Sequence, residues 1–213
     1  MIGMLAQIVL FDGFDPLDVV APFEVLHSGG AAGGGQLTVE LVSAEGPRDV
    51  TSGTGGLTLR ATAALDPAVA DLIVVPGASG PLDAIPPLLA QAAAGGLTPL
   101  LKAAMDRPET TVATVCGGSM ILAMGGLLAG RHVTTHHLGL DGLGASGAYP
   151  INARVVDDGD LISGGAVTSG LDVGLHLVDR FLGPRVAHAV EQLFAHERRG
   201  TVWRATGTVP LPF

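Results

Sequence analysis

The chain has one cysteine, Cys116, which lies where a strand pattern gives way to a helical pattern. The β-prone run Thr111–Val115 precedes it, two glycines follow it, and apolar residues then recur at helical spacing as far as Leu128. This pattern predicts a strand, a tight turn at the cysteine and a helix. Because free N–H groups at a helix N-terminus favour a thiolate, the turn suits a nucleophile. The alternative is a small buried side chain, the usual role of a free cysteine.

Two further loops carry groups that would complement a nucleophile. The predicted strand Gln7–Phe11 is followed by Asp15 and Asp18, and another predicted strand by Gly77–Gly80. In open α/β sheets such loops meet at the carboxyl ends of the strands, where a carboxyl would move protons. Asp18 would equally serve in the first turn of a helix capped by Asp15, and the glycine loop would equally be a plain turn. The backbone donors that would stabilise developing negative charge are those near Gly77, Ala78 and Gly117.

The histidines add no metal site to this constellation. His132, His136 and His137 have no second cluster of Cys, Asp or Glu at ligand spacing, so we expect no metal. A cysteine protease needs a histidine near its thiol, and none is adjacent to Cys116 in the sequence. His136 would have to approach the thiol through the fold.

Composition and charge exclude several classes of protein. The 213 residues contain no linker or repeat, so we expect a single domain over residues 1–213. A net charge of −9, with no basic run beyond Arg198-Arg199, argues against nucleic acid as a partner. The uncharged stretch Thr110–Gly130 contains too many glycines for a membrane helix. The lone cysteine and the absence of a signal-peptide pattern predict a cytoplasmic protein, and the Gly- and Ala-rich, Lys-poor composition suggests a bacterial source.

Strand and helix patterns alternate along the chain and predict an α/β sandwich with a mostly parallel sheet. Further strand patterns cover Leu37–Ser43, a hairpin over Val50–Arg60, Asp71–Pro76, His132–Thr135, and a pair formed by Ala153–Val156 and Leu161–Ser163. Helical patterns begin after Asp15 and after Cys116, and also cover Pro81–Ala94, Thr98–Met105, Asp141–Ala145, Thr168–Leu182 and the residues from Pro184 to Arg199. We expect Pro22 to kink or break the first helix, His27–Gly30 to close it, and Gly200–Phe213 to form an extended tail.

Four segments resemble one known family. They are LDVVAPFEVL (Leu17–Leu26), VVPGASG (Val74–Gly80), TVCGGSMILAMGGLLAGRHVTTHH (Thr114–His137) and VVDDGDLISGGAVTSGLDVGLHLV (Val155–Val178). The chain from about Ala6 to Glu197 resembles the ThiJ/PfpI superfamily, and within it the isonitrile hydratase branch most closely. The resemblance implies a flavodoxin-like three-layer α/β sandwich with a mostly parallel sheet, as in class I glutamine amidotransferases. It also implies a homodimer that needs no cofactor.

The resemblance implies roles for residues at matching positions. Cys116 is then the nucleophile on a strained strand-to-helix elbow, and Asp18 is its acidic partner. The residues implied to shape the pocket or bind substrate are Gly77, Ala78, Gly117, His136 and Gly165, the last within the Gly164–Gly170 loop. The implied reaction adds water to an isonitrile carbon, through a cysteine thioimidate, and gives an N-substituted formamide.

Two positions depart from the hydratase pattern. Hydratases of this branch usually carry Thr directly after the cysteine and Trp after the histidine of a Thr-Thr-His segment, where this chain has Gly117 and His137. A hydroxyl donor and an aromatic wall are therefore missing, which leaves the substrate open. Proteases and amidases of the superfamily have His directly after the cysteine, so we expect no peptidase activity.

Other activities would use the same cysteine. A glyoxalase or deglycase would attack the carbonyl carbon of a small oxoaldehyde, and a redox or ligand sensor would form sulfenic acid at an exposed thiol of low pKa. The fold also resembles the ligand domain of AraC-type regulators, which continue into a helix-turn-helix region, whereas this sequence ends at TVPLPF. We therefore expect a small-molecule substrate and a second copy of the chain as partners, and neither nucleic acid nor a membrane.

Overall fold

Strands and helices alternate along the chain, as the sequence pattern predicts. The computed structural model describes residues 3–211. Its strands are β1 (Met4–Val9), β2 (Leu37–Ser43), β3 (Arg48–Thr51), β4 (Thr58–Ala61), β5 (Ala63–Ala64), β6 (Leu72–Val75), β7 (Thr111–Val115), β8 (His132–Val133), β9 (Tyr149–Pro150), β10 (Val155–Asp157) and β11 (Leu161–Gly164). Its α-helices are α1 (Pro16–Ala32), α2 (Ile85–Ala92), α3 (Thr98–Met105), α4 (Gly118–Met124), α5 (Leu140–Ala145), α6 (Ser169–Leu182) and α7 (Pro184–Phe194). Residues 1–2, and residues 212–213 of the predicted tail, lie outside the described residues.

One seven-stranded sheet organises the fold, in the order β10-β11-β7-β6-β1-β2-β5. Neighbouring strands in it are parallel except for β10 and β11. Every residue of β6, β7 and β11 is buried, because helices cover both faces of the sheet. Helices α1, α6 and α7 pack together in one layer, and α2, α3 and α4 belong to the other. The predicted three-layer α/β sandwich with a mostly parallel sheet is confirmed.

The first helix continues through its proline, so the predicted break at Pro22 is wrong. Pro22 packs against α6, where a Cβ added to Gly170 would lie 3.0 Å from the proline Cδ. Because Gly170 and Gly174 carry no side chain, α6 closes onto α1 and holds the helix together on both sides of the proline. The predicted end at His27–Gly30 is also wrong, since these residues belong to the helix and a Cβ at Gly30 would clash with β2.

Two other helices end earlier than their patterns predict. α4 ends at Met124, where two glycines follow, so Leu128 lies beyond the helix. It has only seven residues, and within residues 3–211 no helix is long and apolar enough to cross a membrane. α7 ends at Phe194 because Ala195 takes a left-handed conformation with φ of +48°, so the helix does not reach Arg199.

Most of the remaining boundaries agree with the sequence patterns. The predicted hairpin forms from β3 and β4, and β10 pairs antiparallel with β11. The helix predicted over Pro81–Ala94 begins only at Ile85, and a π-helical turn over Ala93–Leu97 joins it to α3. The strand predicted over His132–Thr135 is limited to the two residues of β8.

The segment after α7 is extended, and it packs on the edge of the sheet. Trp203 forms a parallel β-bridge with Val156 of β10. The N–H of Trp203 donates to the Val155 carbonyl at 3.0 Å, and its own carbonyl accepts the N–H of Asp157 at 2.9 Å. Arg204 Nε donates to Asp157 Oδ2 at 3.0 Å. The segment therefore covers the exposed edge that β10 would otherwise present.

Candidate active site

Three neighbouring strands bring the predicted site residues to one edge of the sheet. β7 lies beside β6, and β6 lies beside β1. The carboxyl ends of parallel strands meet at the same edge, so the loops after them converge. Cys116 follows β7, Gly77 follows β6, and Asp18 lies in the first turn of the helix after β1. The N–H of Asp15 donates to the Gly77 carbonyl at 2.9 Å and joins the first two loops.

Cys116 forms a strained elbow between β7 and α4. Its φ is +55°, in the left-handed region that non-glycine residues rarely adopt. Two hydrogen bonds hold it there: its N–H donates to the Gly164 carbonyl at 3.0 Å, and Thr135 Oγ1 donates to its carbonyl oxygen at 2.8 Å. Strain that the surroundings hold in place is typical of functional positions, because it fixes the direction of the side chain.

Glycines allow the loops around the elbow to approach one another closely. A Cβ at Gly77 would lie 2.6 Å from the backbone nitrogen of Gly117 and 2.9 Å from Asp18 Oδ2. A Cβ at Gly118 would clash with the carbonyl oxygen of Val75. The missing side chains therefore let the loop after β6 touch the elbow and let the Asp18 carboxyl reach the backbone of that loop.

Asp18 lies beside the cysteine and has no exposed surface, whereas Cys116 retains 6% of its accessible surface. Asp18 Oδ2 accepts the N–H of Gly77 at 2.9 Å. The Cys116 thiol lies within electrostatic reach of this carboxyl, since each group affects the pKa of the other. Among residues 3–211, Asp18 Oδ1 has no partner at full hydrogen-bond geometry. The carboxyl is therefore held through Oδ2, and its other oxygen is buried without a partner among the described residues.

Burial raises the pKa of both members of this pair. The pKa of Asp18 lies well above its usual value because burial disfavours the carboxylate, and the charge of Asp15 adds to the effect. Burial also raises the pKa of the Cys116 thiol, and the charge of Asp18 raises it further. Two adjacent buried anions are disfavoured, so the pair titrates as a unit and holds at least one proton at neutral pH.

The helix N-terminus favours the thiolate, as expected, but burial acts in the opposite direction. The N–H of Gly117 does lower the pKa of the Cys116 thiol, but burial raises it by more. α4 is only seven residues long, which limits the electrostatic effect of its N-terminus. The thiol and the carboxyl are therefore a coupled pair, and the charge of Cys116 depends on that of Asp18.

A cavity of about 430 Å³ opens beside Cys116. Its apolar wall comes mainly from α2, α4 and the loops near them: Leu82, Ile85, Pro86, Leu89, Met120, Met124, Leu138 and Val167. The hydroxyl of Ser79 on this wall is already bound, since it donates to the Phe14 carbonyl at 3.3 Å. Asp15 is the only carboxylate on the wall, and no Lys or Arg of residues 3–211 lies there. The cavity suits an uncharged molecule with an apolar substituent.

His136 lies on the same cavity wall as Cys116, which the sequence alone does not show. Its Nδ1 accepts the N–H of Leu138 at 3.3 Å, so the neutral ring carries its proton on Nε2. Burial lowers the pKa of His136, and His137, whose ring centroid lies 4.1 Å away, lowers it further. His136 is therefore a neutral hydrogen-bond donor at pH 7 and not a cationic partner for the thiol.

The other predicted pocket residues divide into two groups. Ala78 and Gly117 line the cavity, whereas Gly77 and Gly165 do not, and Val167 forms the wall in the loop that contains Gly165. The N–H of Ala78 has no backbone acceptor within residues 3–211, so it is available to stabilise negative charge. Within the same residues no group of three or more His, Cys, Asp or Glu side chains is placed to hold a metal ion.

Comparison with known sequences identifies the family. The model of the DJ-1/PfpI family matches residues 4–180. This chain belongs to the DJ-1/PfpI family. It is 35% identical over 184 residues to the isonitrile hydratase of Pseudomonas putida, and the matched region covers 86% of this chain and 74% of that enzyme. It is 29% identical over 191 residues to the HTH-type transcriptional regulator CdhR of Pseudomonas aeruginosa, and the matched region covers 87% of this chain and 53% of the regulator.

Solved structures of the DJ-1/PfpI family share the fold. A THiJ/PfpI family protein from Pseudomonas syringae superimposes with a TM-score of 0.77 at 25% identity, over 93% of this chain and 77% of that one. Drosophila melanogaster DJ-1beta gives a TM-score of 0.76 at 17% identity, over 92% of this chain and 99% of that one. The named relatives include an enzyme and a transcriptional regulator, so membership of the family determines the architecture and leaves the reaction to the residues of the site.

Sequence reasoning missed two residues of the site. It places Asp15 in the loop after the first strand, as a helix cap, but does not name it as a site residue; Asp15 Oδ1 does accept the N–H of Leu17 at 2.9 Å, and the residue also lines the cavity. It does not single out Leu89, although a Cβ at Gly117 would lie 3.2 Å from Leu89 Cδ1. Leu89 therefore fills the space beside the position where the hydratase branch usually carries Thr. The α2 pattern signals a buried helix face but not which leucine faces the cysteine.

Proposed function

We propose that this protein is an isonitrile hydratase-like enzyme, which adds water to an isonitrile carbon and releases an N-substituted formamide. The observation that carries the proposal is the coupled Cys116–Asp18 pair, which burial favours in a protonated form beside an apolar cavity. Addition of a cysteine to an isonitrile consumes one sulfur nucleophile and one proton at the same carbon atom. The pair supplies both.

In the first step the isonitrile carbon bonds to Cys116. The proton that the pair shares moves to the terminal carbon of the isonitrile, and the sulfur bonds to the same carbon. One bond from hydrogen to sulfur or oxygen breaks, and one C–H and one C–S bond form. The product is a thioimidate, R–N=CH–S, on Cys116, and Asp18 is left as a carboxylate.

In the second step water replaces the sulfur. The water oxygen bonds to the thioimidate carbon, the C=N electron pair becomes an N–H bond, and the C–S bond breaks with its electrons on sulfur. The hydroxyl proton of the tetrahedral intermediate returns to the Cys116–Asp18 pair as the formamide carbonyl forms. The sum is one isonitrile and one water giving one formamide, with the enzyme restored and no cofactor used.

The cavity and one relative support an isonitrile as the substrate. An isonitrile is uncharged, which agrees with a wall that has one carboxylate and, within residues 3–211, no Lys or Arg. The apolar wall would bind the substituent on the isonitrile nitrogen. The Pseudomonas putida protein that is 35% identical to this chain is named isonitrile hydratase.

The proposal is tested by assaying two substrates with the same protein samples. We expect the wild type to form N-benzylformamide from benzyl isonitrile and little lactate from methylglyoxal. Cys116→Ala should abolish formamide formation, and Asp18→Asn should lower kcat by about 10²–10³-fold because the proton of the pair is lost. Formamide formation retained in Cys116→Ala would overturn the proposal, and lactate without formamide would assign the protein to glyoxalase chemistry.

A further inference from the structure

The cavity beside Cys116 contains an acidic group that the steps above do not use. Asp15 lines the cavity, whereas Asp18 has no exposed surface and does not form part of the wall. Water that enters the cavity beside a substrate on Cys116 can contact the Asp15 carboxyl. Asp18 is fully buried and is held by the N–H of Gly77.

The structure holds Asp15 in place and leaves part of its carboxylate free. Its N–H donates to the Gly77 carbonyl at 2.9 Å, and its Oδ1 accepts the N–H of Leu17 at 2.9 Å. None of the hydrogen bonds within residues 3–211 uses Oδ2. Burial is the main cause of the raised pKa values of the Asp18 carboxyl and the Cys116 thiol, and the charge of Asp15 raises both further. Asp15 therefore lies within electrostatic reach of both groups.

We infer that Asp15 is the general base that activates water for hydrolysis of the Cys116 thioimidate, a role that rests on the proposed function. The two carboxyl groups then divide the reaction. Asp18 exchanges a proton with the thiol in the first step, and Asp15 takes one from water in the second. Burial separates these tasks, because Asp18 has no exposed surface whereas Asp15 lines the cavity that water enters.

The water step balances with Asp15 in this role. One O–H bond of water breaks and its proton passes to Asp15, while the oxygen bonds to the thioimidate carbon. Asp15 then gives this proton to the nitrogen, where the former C=N electron pair forms the N–H bond. The C–S bond breaks and the remaining hydroxyl proton returns to the Cys116–Asp18 pair, so Asp15 ends as a carboxylate.

The test separates the base from the helix cap. Asn caps a helix as well as Asp does, so Asp15→Asn keeps the bond to the Leu17 N–H and removes only the base. The matched control is Asp12→Asn, the same change in the same loop, at a residue that is exposed and pairs with Arg48. Each protein is mixed with benzyl isonitrile and quenched at intervals, and intact mass spectrometry measures how much Cys116 carries the mass of one isonitrile.

The role predicts opposite changes in the two steps. In Asp15→Asn the adduct should form as fast as in the wild type or faster, because loss of the neighbouring charge lowers the pKa of the Cys116 thiol. Its hydrolysis should slow by about 10²-fold or more, so that the adduct accumulates. Asp12→Asn should hydrolyse the adduct at the wild-type rate.

Three results would overturn the role, and they can be told apart. Turnover in the wild type together with unchanged hydrolysis in Asp15→Asn overturns the base and leaves the proposed function standing. No turnover and no adduct in the wild type overturns the proposed function, and the role of Asp15 with it. Equal slowing of both steps in Asp15→Asn would show a structural effect of the cap and would also contradict the role.

Discussion

At the scale of single residues, Cys116 stores backbone strain that glycine would not. A left-handed conformation costs a non-glycine residue about 1–2 kcal/mol, and glycine avoids this cost. Glycine is also more flexible in the unfolded chain, which lowers the free energy of unfolding and offsets part of the gain. We therefore expect Cys116→Gly to have a free energy of unfolding about 0.5–1 kcal/mol higher than that of Cys116→Ala. Urea unfolding of the two variants measures this difference, and an alanine variant at least as stable as the glycine variant would contradict the strain.

Asp18 makes stability depend on pH in a predictable direction. Its pKa is raised by burial, so above about pH 4 the folded protein holds a proton that the unfolded chain releases. This contribution to the free energy of unfolding falls as pH rises through the range between the two pKa values. In Asp18→Asn the contribution is absent.

The difference in stability between Asp18→Asn and the wild type should therefore change in favour of the variant from pH 4.5 to pH 7.5. Urea unfolding at several pH values in the presence of a reductant measures it. A difference that stays constant, or one that changes in favour of the wild type, would show that the carboxyl is ionised in the fold.

At the scale of elements, two adjacent glycines of the elbow should respond differently to the same substitution. A Cβ at Gly118 would clash with the Val75 carbonyl, which is backbone of β6 and has little room to move. A Cβ at Gly117 would meet only the flexible end of Leu89, 3.2 Å away, and its φ of −68° suits any residue. We expect Gly118→Ala to cost about 2–3 kcal/mol and Gly117→Ala less than about 1 kcal/mol in urea unfolding. Equal costs for the two variants would contradict the close contact between Gly118 and the backbone of β6.

Helix α2 should determine which substituent the cavity accepts. Leu89 lies on the cavity wall beside Gly117, so it would contact a bulky group on the isonitrile nitrogen. We expect Leu89→Ala to lower kcat/KM for benzyl isonitrile about tenfold and to leave methyl isonitrile within about threefold. The control is Leu88→Ala on the same helix, whose side chain packs against Gly13 and does not line the cavity. Equal losses for both substrates would contradict this role.

At the scale of the whole molecule, the sequence predicts the architecture well because hydrophobic period and glycine spacing are local signals. The buried run before Cys116 and the break after it predict the elbow, and the parallel sheet then places Asp18 and Gly77 beside it. The path of the first helix is not predictable in this way. Pro22 is tolerated because glycines of α6, about 150 residues further along the chain, make room for it.

The protonation of the site is likewise a property of the whole fold. The local pattern around Cys116 indicates a thiolate, but burial by distant elements and the charge of Asp18 reverse that indication. The cavity lining of Asp15 and His136 also depends on contacts that no spacing in the sequence records. Homodimerisation and a cytoplasmic location stay predictions, and light scattering that gives about twice the chain mass of 21.4 kDa would support the first.

The central claim is that Cys116 bonds to an isonitrile carbon. Its most direct test is the intact mass of the wild-type protein, quenched during turnover of benzyl isonitrile. We expect a species heavier by one isonitrile, with the added mass on the peptide that contains Cys116, which forms and decays at rates consistent with the appearance of N-benzylformamide. Formamide produced at the same rate with no such species, and equally by Cys116→Ala, would contradict it.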